Sequence, residues 1–452
     1  MVGSAEMPHV EDLPESLKRF CYRNAVKLPS GRDFATSLNR LVTELLDGEA
    51  MYALGERYNQ GLGVKQNTTK AIDWWEKAAR RHYPKAQFQL GCLYYSGEGV
   101  TEDKQKAVDW WRRAAEQGDA AAQLTLGFAY YTGEGIGEDK QKAVEWFRKA
   151  AEQGEAEAQW LLGSAYDQGE GVKEDKQKAV DWFRKAAEQG EAEAQCDLGL
   201  AYYNGEGVKE DKQQAVEWWQ KAAEQEAPEA QFLLGSAFDQ GEGVEQDEQK
   251  AVDWWRRAAE QGDAAAQRLV GNAYYNGKGI KEDKQKAVDW WRRAAEQGDA
   301  VAQQFLGNVY YDGEGVEQDE QKAVEWWGKA AEQGETVAQY HLGIAYWNGE
   351  GVEEDCKKAS EWFSKAAEQG HAEAQCLLGN AYDQGEGVKK DKQKAVDWWE
   401  KAAESGEVSS QYFLHSFRGC GSQANRVPLI ARVTVNRAPI EPVKIRLKQP
   451  GP

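Results

Sequence analysis

The residues of this chain that could do chemistry are a recurring glycine-rich acidic loop and a scatter of histidines and cysteines. One copy of the loop reads "GEGVKED". A phosphate-binding loop follows a β-strand and continues into Lys-Ser or Lys-Thr, and this loop does neither. A calcium loop of the EF-hand type places acidic ligands at alternating positions and closes on a Glu, and that frame is also missing. Turn formation therefore explains the glycines.

The titratable and nucleophilic residues form no motif that indicates catalysis. None of the five histidines pairs with another at metal-ligand spacing: His9, His82, His341, His371 and His415. The six cysteines form no CxxC motif, so neither a zinc site nor a disulfide framework is indicated. No Ser or Cys lies in a recognisable nucleophile motif. The sequence thus predicts no catalytic residue, no metal and no cofactor, and a protein that is not an enzyme.

Charge and composition narrow the classes of partner. The chain has 452 residues and a formal net charge of −20, so it repels phosphate backbones and is not expected to bind nucleic acid. No apolar run approaches the length of a membrane span, and the N-terminus lacks the features of a signal peptide. These features predict a cytoplasmic protein without a membrane segment.

A glycine that recurs every 36 residues sets the organisation of the chain, and we call it the anchor Gly and count positions from it. The ten anchors are Gly55, Gly91, Gly127, Gly163, Gly199, Gly235, Gly271, Gly307, Gly343 and Gly379. Every copy has two more Gly at +6 and +8, a Trp at +19, and a Trp or Phe at +20. An eleventh copy begins, but His415 stands where the Gly is due.

Each copy is predicted to be a helix–turn–helix hairpin. In the copy around Gly127, Leu126, Tyr130 and several Ala recur at helical spacing over 119–131. The paired glycines of "TGEGIGED" then end that helix. Asp139 is the expected N-cap of a second helix, "KQKAVEWFRKAAEQG", which Gly154 ends.

The aromatic residues predict that the hairpins stack. A helical Gly costs about 1 kcal/mol relative to Ala, so we expect the anchor Gly to allow two helices to approach backbone to backbone. A single hairpin has no second layer against which to bury its tryptophans, whereas stacked hairpins bury each other's aromatic rings. The predicted architecture is therefore an all-α solenoid.

The repeated residues resemble a known family. The segment Ala156–Gly190, with its "AEAQ", "GEGV" and "KAAEQG" motifs, is similar to the Sel1-like repeat, a relative of the tetratricopeptide repeat. The resemblance covers residues 48–415. It implies a right-handed superhelix of antiparallel helix pairs whose first helices line the concave side. It also implies binding to other proteins, because family members often act as adaptors in signalling or quality-control complexes.

The two ends of the chain lie outside this pattern. Residues 1–47, which include "EMPHVEDLPESLKRF", resemble the C-terminal end of a bacterial-type TIR domain, although a helical lead-in that caps the solenoid is the alternative. The signalling loop and NAD-cleaving Glu of TIR domains lie upstream of the matched part, so no residue here inherits them. Residues 416–452 contain seven Lys or Arg and five of the ten Pro, which predicts a disordered basic tail. Whether that tail folds back on the acidic repeats or is a coding accident stays open.

Variation among the copies suggests where a partner binds. Positions −3, +1 and +4 differ from copy to copy and lie on one face of the first helix, which we call the variable ridge. Because the other positions hardly change, we interpret the variable ones as free of packing duty, although some could pack between neighbouring copies. The groove candidates are Phe88, Tyr95, Phe128, Tyr131, Trp160, Tyr203, Phe232, Arg268, Tyr275, Tyr311, Tyr340 and Trp347.

Three functions follow from these observations. The first is a non-enzymatic scaffold or adaptor that binds a peptide or protein segment in a concave groove lined by the first helices. The acidic rim predicts a partner with basic and aromatic character. The second is the recognition half of a TIR-type signalling or NAD-cleaving protein whose catalytic part is missing from this chain. The third is recent duplication of near-identical copies with little selected function.

Overall fold

The computed structural model describes residues 47–419, and for 412 and 415–419 it describes the backbone alone. These residues form 21 α-helices, and none of them lies in a β-strand. The predicted all-α fold is therefore confirmed for this part of the chain. The predicted TIR-like segment or helical lead-in (1–47) and the predicted basic tail (416–452) fall almost entirely outside the described residues, and both stay predictions.

The helices alternate between the two members of each hairpin. The first helices are α1 (Gly48–Gln60), α3 (Pro84–Ser96), α5 (Ala120–Thr132), α7 (Ala156–Gln168), α9 (Ala192–Asn204), α11 (Pro228–Gln240), α13 (Ala264–Asn276), α15 (Ala300–Asp312), α17 (Thr336–Asn348), α19 (Ala372–Gln384) and α21 (Val408–Gly419). The second helices are α2 (Thr68–Arg80), α4 (Lys104–Glu116), α6 (Lys140–Glu152), α8 (Lys176–Glu188), α10 (Lys212–Glu224), α12 (Glu248–Glu260), α14 (Lys284–Glu296), α16 (Glu320–Glu332), α18 (Cys356–Glu368) and α20 (Lys392–Glu404). The broken eleventh copy thus contributes α21.

Local capping signals set the ends of these helices. Gly133 ends α5 with a left-handed φ of 77°, which a residue with a side chain rarely adopts. Asp139 is the N-cap of α6, and its carboxylate accepts a hydrogen bond of 3.0 Å from the backbone N–H of Lys142. Both helix ends agree with the prediction from the sequence.

The chain divides into two compact units, residues 1–210 and 211–452, which are described separately. Within each unit a helix packs against the next helix along the chain, and the cores consist of Ala, Leu and aromatic side chains. No helix of the described part is long and apolar enough to span a membrane.

The aromatic ring at +20 explains why the anchor position is Gly. The expected approach of two helix backbones is only part of the reason. A Cβ atom on Gly127 would lie 2.6 Å from Cδ1 of Phe147 and 3.3 Å from the backbone oxygen of Ala143. The helices do approach closely, but the space above the Gly is filled by a ring of the second helix. The same ring is buried in the other copies, for example Trp75 and Trp327.

The Trp at +19 packs between copies, as predicted. Trp146 packs against a core cluster that contains Trp111 of the preceding copy and Leu126 of its own, and Trp362 packs in the same way in the second unit. A cation three residues later covers the other face of the ring, with Nζ of Lys149 3.6 Å from the centroid of Trp146. Successive hairpins therefore bury each other's aromatic rings.

Candidate functional site

The variable ridge supplies the candidate site, and the structure sorts its residues by exposure. Tyr95 and Tyr131 are 38% and 41% exposed, whereas Tyr340 is 4% exposed. The other predicted residues are half-buried: Phe88, Phe128, Trp160, Tyr203, Phe232, Arg268, Tyr275, Tyr311 and Trp347. Tyr340 therefore offers no accessible surface, in contrast to the expectation for it.

The first unit brings five of these residues onto three consecutive first helices, α3, α5 and α7. We call this set the aromatic patch: Phe88, Tyr95, Phe128, Tyr131 and Trp160. The rings are held by their surroundings. The ring centroid of Phe128 is 5.4 Å from that of Phe147, edge to face, and Tyr95 is 5.5 Å from Trp111. The indole Nε1 of Trp160 donates a hydrogen bond of 2.7 Å to Asp197.

The exposed tyrosines are fixed by the loop of the next hairpin. The Tyr131 hydroxyl donates a hydrogen bond of 2.8 Å to Glu170, whose other carboxylate oxygen lies 2.9 Å from Nζ of Lys140. Tyr95 bonds Glu134 in the same way, and Lys104 lies 3.4 Å from that carboxylate. The hydrogen bonds from Lys140 and Tyr131 lower the pKa of Glu170. Each of these two contacts between hairpins, which we call a rung, is thus a Tyr–Glu–Lys group with an ordered, exposed tyrosine ring.

Position +4 also links neighbouring hairpins in the second unit. Tyr311 donates a hydrogen bond of 2.8 Å to Glu350. One rung reverses the charges, because Lys278 replaces the loop Glu and lies 2.6 Å from Asp239, which replaces the Tyr. Glu248 approaches the same Lys278 at 3.9 Å. At this rung the substitution at +4 is matched by one in the following loop, whereas Asp167 in the first unit faces an unchanged Glu206 and both carboxylates contact Lys176.

Position +1 has a packing role, and the interpretation that variable positions are free of such a role is wrong here. Asn308 accepts a hydrogen bond of 2.9 Å from the indole Nε1 of Trp327. Asn272 and Asn380 accept the same hydrogen bond from Trp291 and Trp399, and Ser236 accepts it from Trp255. Where the ring at +20 is Phe363, which has no N–H, position +1 is Ile344 and both lie in one apolar cluster. In these five copies the residue at +1 matches the ring at +20, whereas repeats 4 and 5 depart from this pairing with Ser164 and Phe183, and with Leu200 and Trp219.

Position −3 contacts the N-cap of the following first helix in several copies. Arg268 lies 3.1 Å from the carboxylate of Asp299, with both side chains about one-sixth exposed. The Tyr340 ring stacks on His371, with 4.4 Å between the centroids. Both residues were predicted as groove candidates, and both are engaged within the array. Their partners lie 31 residues further along the chain, so no local pattern points to them.

The described residues contain no group of three or more His, Cys, Asp or Glu side chains that could hold a metal ion. Burial raises the pKa of the Cys376 thiol to about 12, which keeps it protonated and unreactive near neutral pH. Sequence reasoning missed the polar partners of the patch, Asp197, Glu134 and Glu170. The recurring spacing of 39 residues from Tyr to Glu was the signal that could have found the last two.

Comparison with protein families places these features in a known group. The model of the Sel1 repeat matches ten segments, which we number as repeats 1 to 10 in chain order. They are residues 48–83, 84–119, 120–155, 156–191, 192–226, 228–263, 264–299, 300–335, 336–371 and 372–407. No match with a curated protein is found.

Two solved structures share the architecture. A protective antigen present in uropathogenic Escherichia coli strains, which displays an SLR fold, is 38% identical with a TM-score of 0.75, covering 85% of this chain and 83% of its own. A Sel1 repeat protein from Oxalobacter formigenes is 36% identical with a TM-score of 0.54, covering 68% of this chain and 89% of its own. Sel1 repeat proteins generally act as protein-interaction scaffolds, bind protein partners and are typically non-catalytic. With ten consecutive matches between residues 48 and 407, this chain belongs to the Sel1 repeat family.

Proposed function

We propose that this chain is a non-enzymatic scaffold that binds a segment of a protein partner on the aromatic patch of its first unit. The observation that carries the proposal is the exposure of Tyr95 and Tyr131, at 38% and 41%, on consecutive first helices. Large rings that stay accessible while a neighbouring loop fixes them are suited to bind a partner rather than to fill a core.

The fixed rings reduce the cost of binding. A partner that docks on Tyr131 does not have to order that side chain, because Glu170 already holds its hydroxyl at 2.8 Å. Immobilising a flexible side chain at an interface costs about 0.5–1.5 kcal/mol, so a pre-ordered patch keeps more of its contact energy for affinity. Trp160, held by Asp197, extends the same surface onto α7.

Charge indicates the character of the partner. The chain carries a net charge of −20, and most carboxylates of the loops are exposed. A segment with basic and aromatic residues would be attracted by this field and would stack on the patch. Affinity should then fall as the salt concentration rises, because exposed charges are screened within about 10 Å at 0.1 M salt.

The test compares affinity capture from the protein's own cell extract by three forms of the chain. The first is the unchanged chain, and the second carries Tyr95→Ser, Tyr131→Ser and Trp160→Ser. The third carries Tyr95→Phe and Tyr131→Phe, which lose the hydrogen bonds to Glu134 and Glu170 but keep the rings. We expect the Ser variant to lose at least about tenfold in affinity and the Phe variant to keep most of it.

A control variant carries Gln105→Ser and Gln141→Ser on the exposed faces of α4 and α6. It should capture the partner as the unchanged chain does. Full capture by the Ser variant, with unchanged helix content by circular dichroism, would rule out the aromatic patch as the binding surface.

The alternative function, the recognition half of a TIR-type protein, is motivated by residues 1–47, which lie almost entirely outside the described part. Translation of the DNA upstream of Met1 separates the two proposals, because an in-frame TIR body there would favour the TIR-type alternative. Neither proposal expects this chain to turn over NAD, since the catalytic part of a TIR domain is missing from it, and a rate above a buffer control would contradict both.

A further inference from the structure

His341 on α17 is a buried polar residue between two aromatic rings, Trp327 and Tyr340. Its side chain is 2% exposed, and neither ring nitrogen has a hydrogen-bond partner among the residues that the structure describes. An unpaired polar group in a core destabilises the fold, so its presence calls for a physical reason.

The His341 ring belongs to a chain of four rings that we call the ring stack. It runs from Trp327 on α16, through His341 and Tyr340 on α17, to His371 at the N-cap of α19. The successive centroid distances are 5.1, 5.5 and 4.4 Å. Phe363 on α18 borders the stack, 6.4 Å from Tyr340. The ring stack therefore joins three helices, α16, α17 and α19, and α18 borders it.

Other copies show that the fold does not need a histidine at this position. The residue at −2 from the anchor Gly is Leu in four copies, Leu161, Leu233, Leu269 and Leu377. In repeat 8 it is Phe305, whose ring lies 5.1 Å from Trp291 and so reproduces the contact between His341 and Trp327. The imidazole adds to this contact a group that can take up a proton.

The titratable groups around the ring stack favour a neutral imidazole. Burial, with a smaller contribution from His371, lowers the pKa of His341 to about 3. Burial also lowers the pKa of His371, and the carboxylate of Glu373, 3.4 Å from Nδ1, acts in the opposite direction. Burial raises the pKa of Tyr340, with smaller contributions from Glu373, Cys376 and Glu407, so this phenol stays neutral. The remaining ring of the stack, Trp327 on α16, and the bordering Phe363 on α18 do not titrate.

The consequence for stability follows from the direction of the shift. In an unfolded segment His341 takes up a proton below its ordinary value of 6.5, whereas in the folded array it resists protonation until about 3. The stability is therefore complete above pH 6.5 and is lost progressively as the pH falls from 6.5 toward 3. His371 acts in the same direction. Its Nδ1 accepts the N-cap hydrogen bond from the backbone N–H of Ala374 at 3.3 Å, and a protonated ring cannot accept it.

We propose that the ring stack is an acid-operated latch, closed at neutral pH, whose protonation detaches α17 from α16 and from the start of α19. An imidazolium cannot remain between Trp327 and Tyr340 without water, so the helix that carries it must open to hydrate it. The latch is independent of the aromatic patch, which lies in the other unit.

The test measures hydrogen exchange of the α17 amides in the full chain at pH 7 and pH 5, corrected for the intrinsic exchange rate. For the unchanged chain, His341 alone should raise the opening constant of α17 by about 25-fold between the two pH values. His341→Phe copies the Phe305 arrangement and should remove that increase. His341→Leu copies Leu377 and serves the same purpose if the Phe variant does not fold.

Two further readouts complete the experiment. The double variant His341→Phe, His371→Asn keeps an N-cap acceptor at 371 and should make the exchange of α17 nearly independent of pH after correction. Helix α5, in the first unit, reports the general effect of acid and should behave identically in all variants. An equal acid response of α17 in the unchanged chain and in His341→Phe would overturn the latch.

Discussion

At the level of single residues, repeat 8 has two helical glycines, and only one of them has a side chain packed closely against it. A Cβ atom on the anchor Gly307 would overlap the indole of Trp327, whereas a Cβ on Gly328 would meet nothing within 4 Å. We expect Gly307→Ala to lower the free energy of unfolding by about 1–3 kcal/mol, because the indole must shift. Gly328→Ala should raise it by about 1 kcal/mol, because Ala is the better helix former. Urea titrations followed by circular dichroism measure both effects.

The pair is its own control, since both substitutions add one methyl group to a helix of the same repeat. A stabilising effect of Gly307→Ala would contradict the close contact with the ring. The sequence identified this glycine and its period of 36 residues, but not the ring that requires a glycine there. The ring that needs the space lies 20 residues away on the other helix, and only the structure brings the two together.

At the level of helices, the residue at +1 and the ring at +20 join the two members of each hairpin. Replacing Asn308 by Ile leaves the indole N–H of Trp327 without its acceptor at 2.9 Å, so we expect a loss of about 1–3 kcal/mol in the free energy of unfolding. The double variant Asn308→Ile, Trp327→Phe recreates the pair Ile344 and Phe363 of repeat 9. It should be more stable than the sum of the two single changes predicts.

A double-mutant cycle at this pair provides the measurement, with the four forms titrated in urea under identical conditions. Strictly additive effects would mean that positions +1 and +20 are independent, and the proposed coupling would be wrong. The same design at Asn380 and Trp399, whose distance is 3.0 Å, repeats the test in another hairpin.

The helices themselves could be predicted from the sequence, whereas their contacts could not. The start of α6 at Lys140 follows from Asp139, and the end of α5 follows from Gly133, because caps act within a few residues. The partners of the variable ridge lie 19 to 39 residues away, as for Asn308 with Trp327 and Tyr131 with Glu170. Variation at these positions therefore looks like freedom in the sequence, although in copies such as those of Asn308 and Ile344 a partner on another helix compensates for it.

At the level of the whole molecule, removing one repeat makes its two neighbours adjacent, and we call the contact between adjacent repeats a joint. The loss of stability should depend on the residues that meet at the new joint. Deleting residues 300–335 brings Tyr275 and Lys284 of repeat 7 opposite Glu350 of repeat 9, which restores the common Tyr–Glu–Lys rung. Deleting residues 264–299 instead brings Asp239 and Glu248 opposite Glu314, without the Lys278 that both contact now. Because nearest-neighbour contacts dominate in such arrays, both forms should fold.

Thermal unfolding of the two deletion forms provides the comparison, since each lacks the same number of residues. We expect the form without residues 264–299 to melt several degrees below the other, and the difference to shrink in high salt, which screens the facing carboxylates. Identical melting temperatures at low salt would show that the reversed rung does not matter for stability. Loss of folding in both forms would contradict nearest-neighbour behaviour.

The contact between Lys278 and Asp239 also bears on how such a chain can change over generations. Tandem DNA copies exchange unequally during recombination, which adds or removes whole units. At the joints after repeats 2, 3 and 7 a newcomer meets a tyrosine, a glutamate and a lysine, and the insertion is harmless. At the joint of repeats 6 and 7 the newcomer meets two acids that only a lysine-bearing loop satisfies. We therefore expect natural length variants to keep these two units as an inseparable pair while the number of the others drifts.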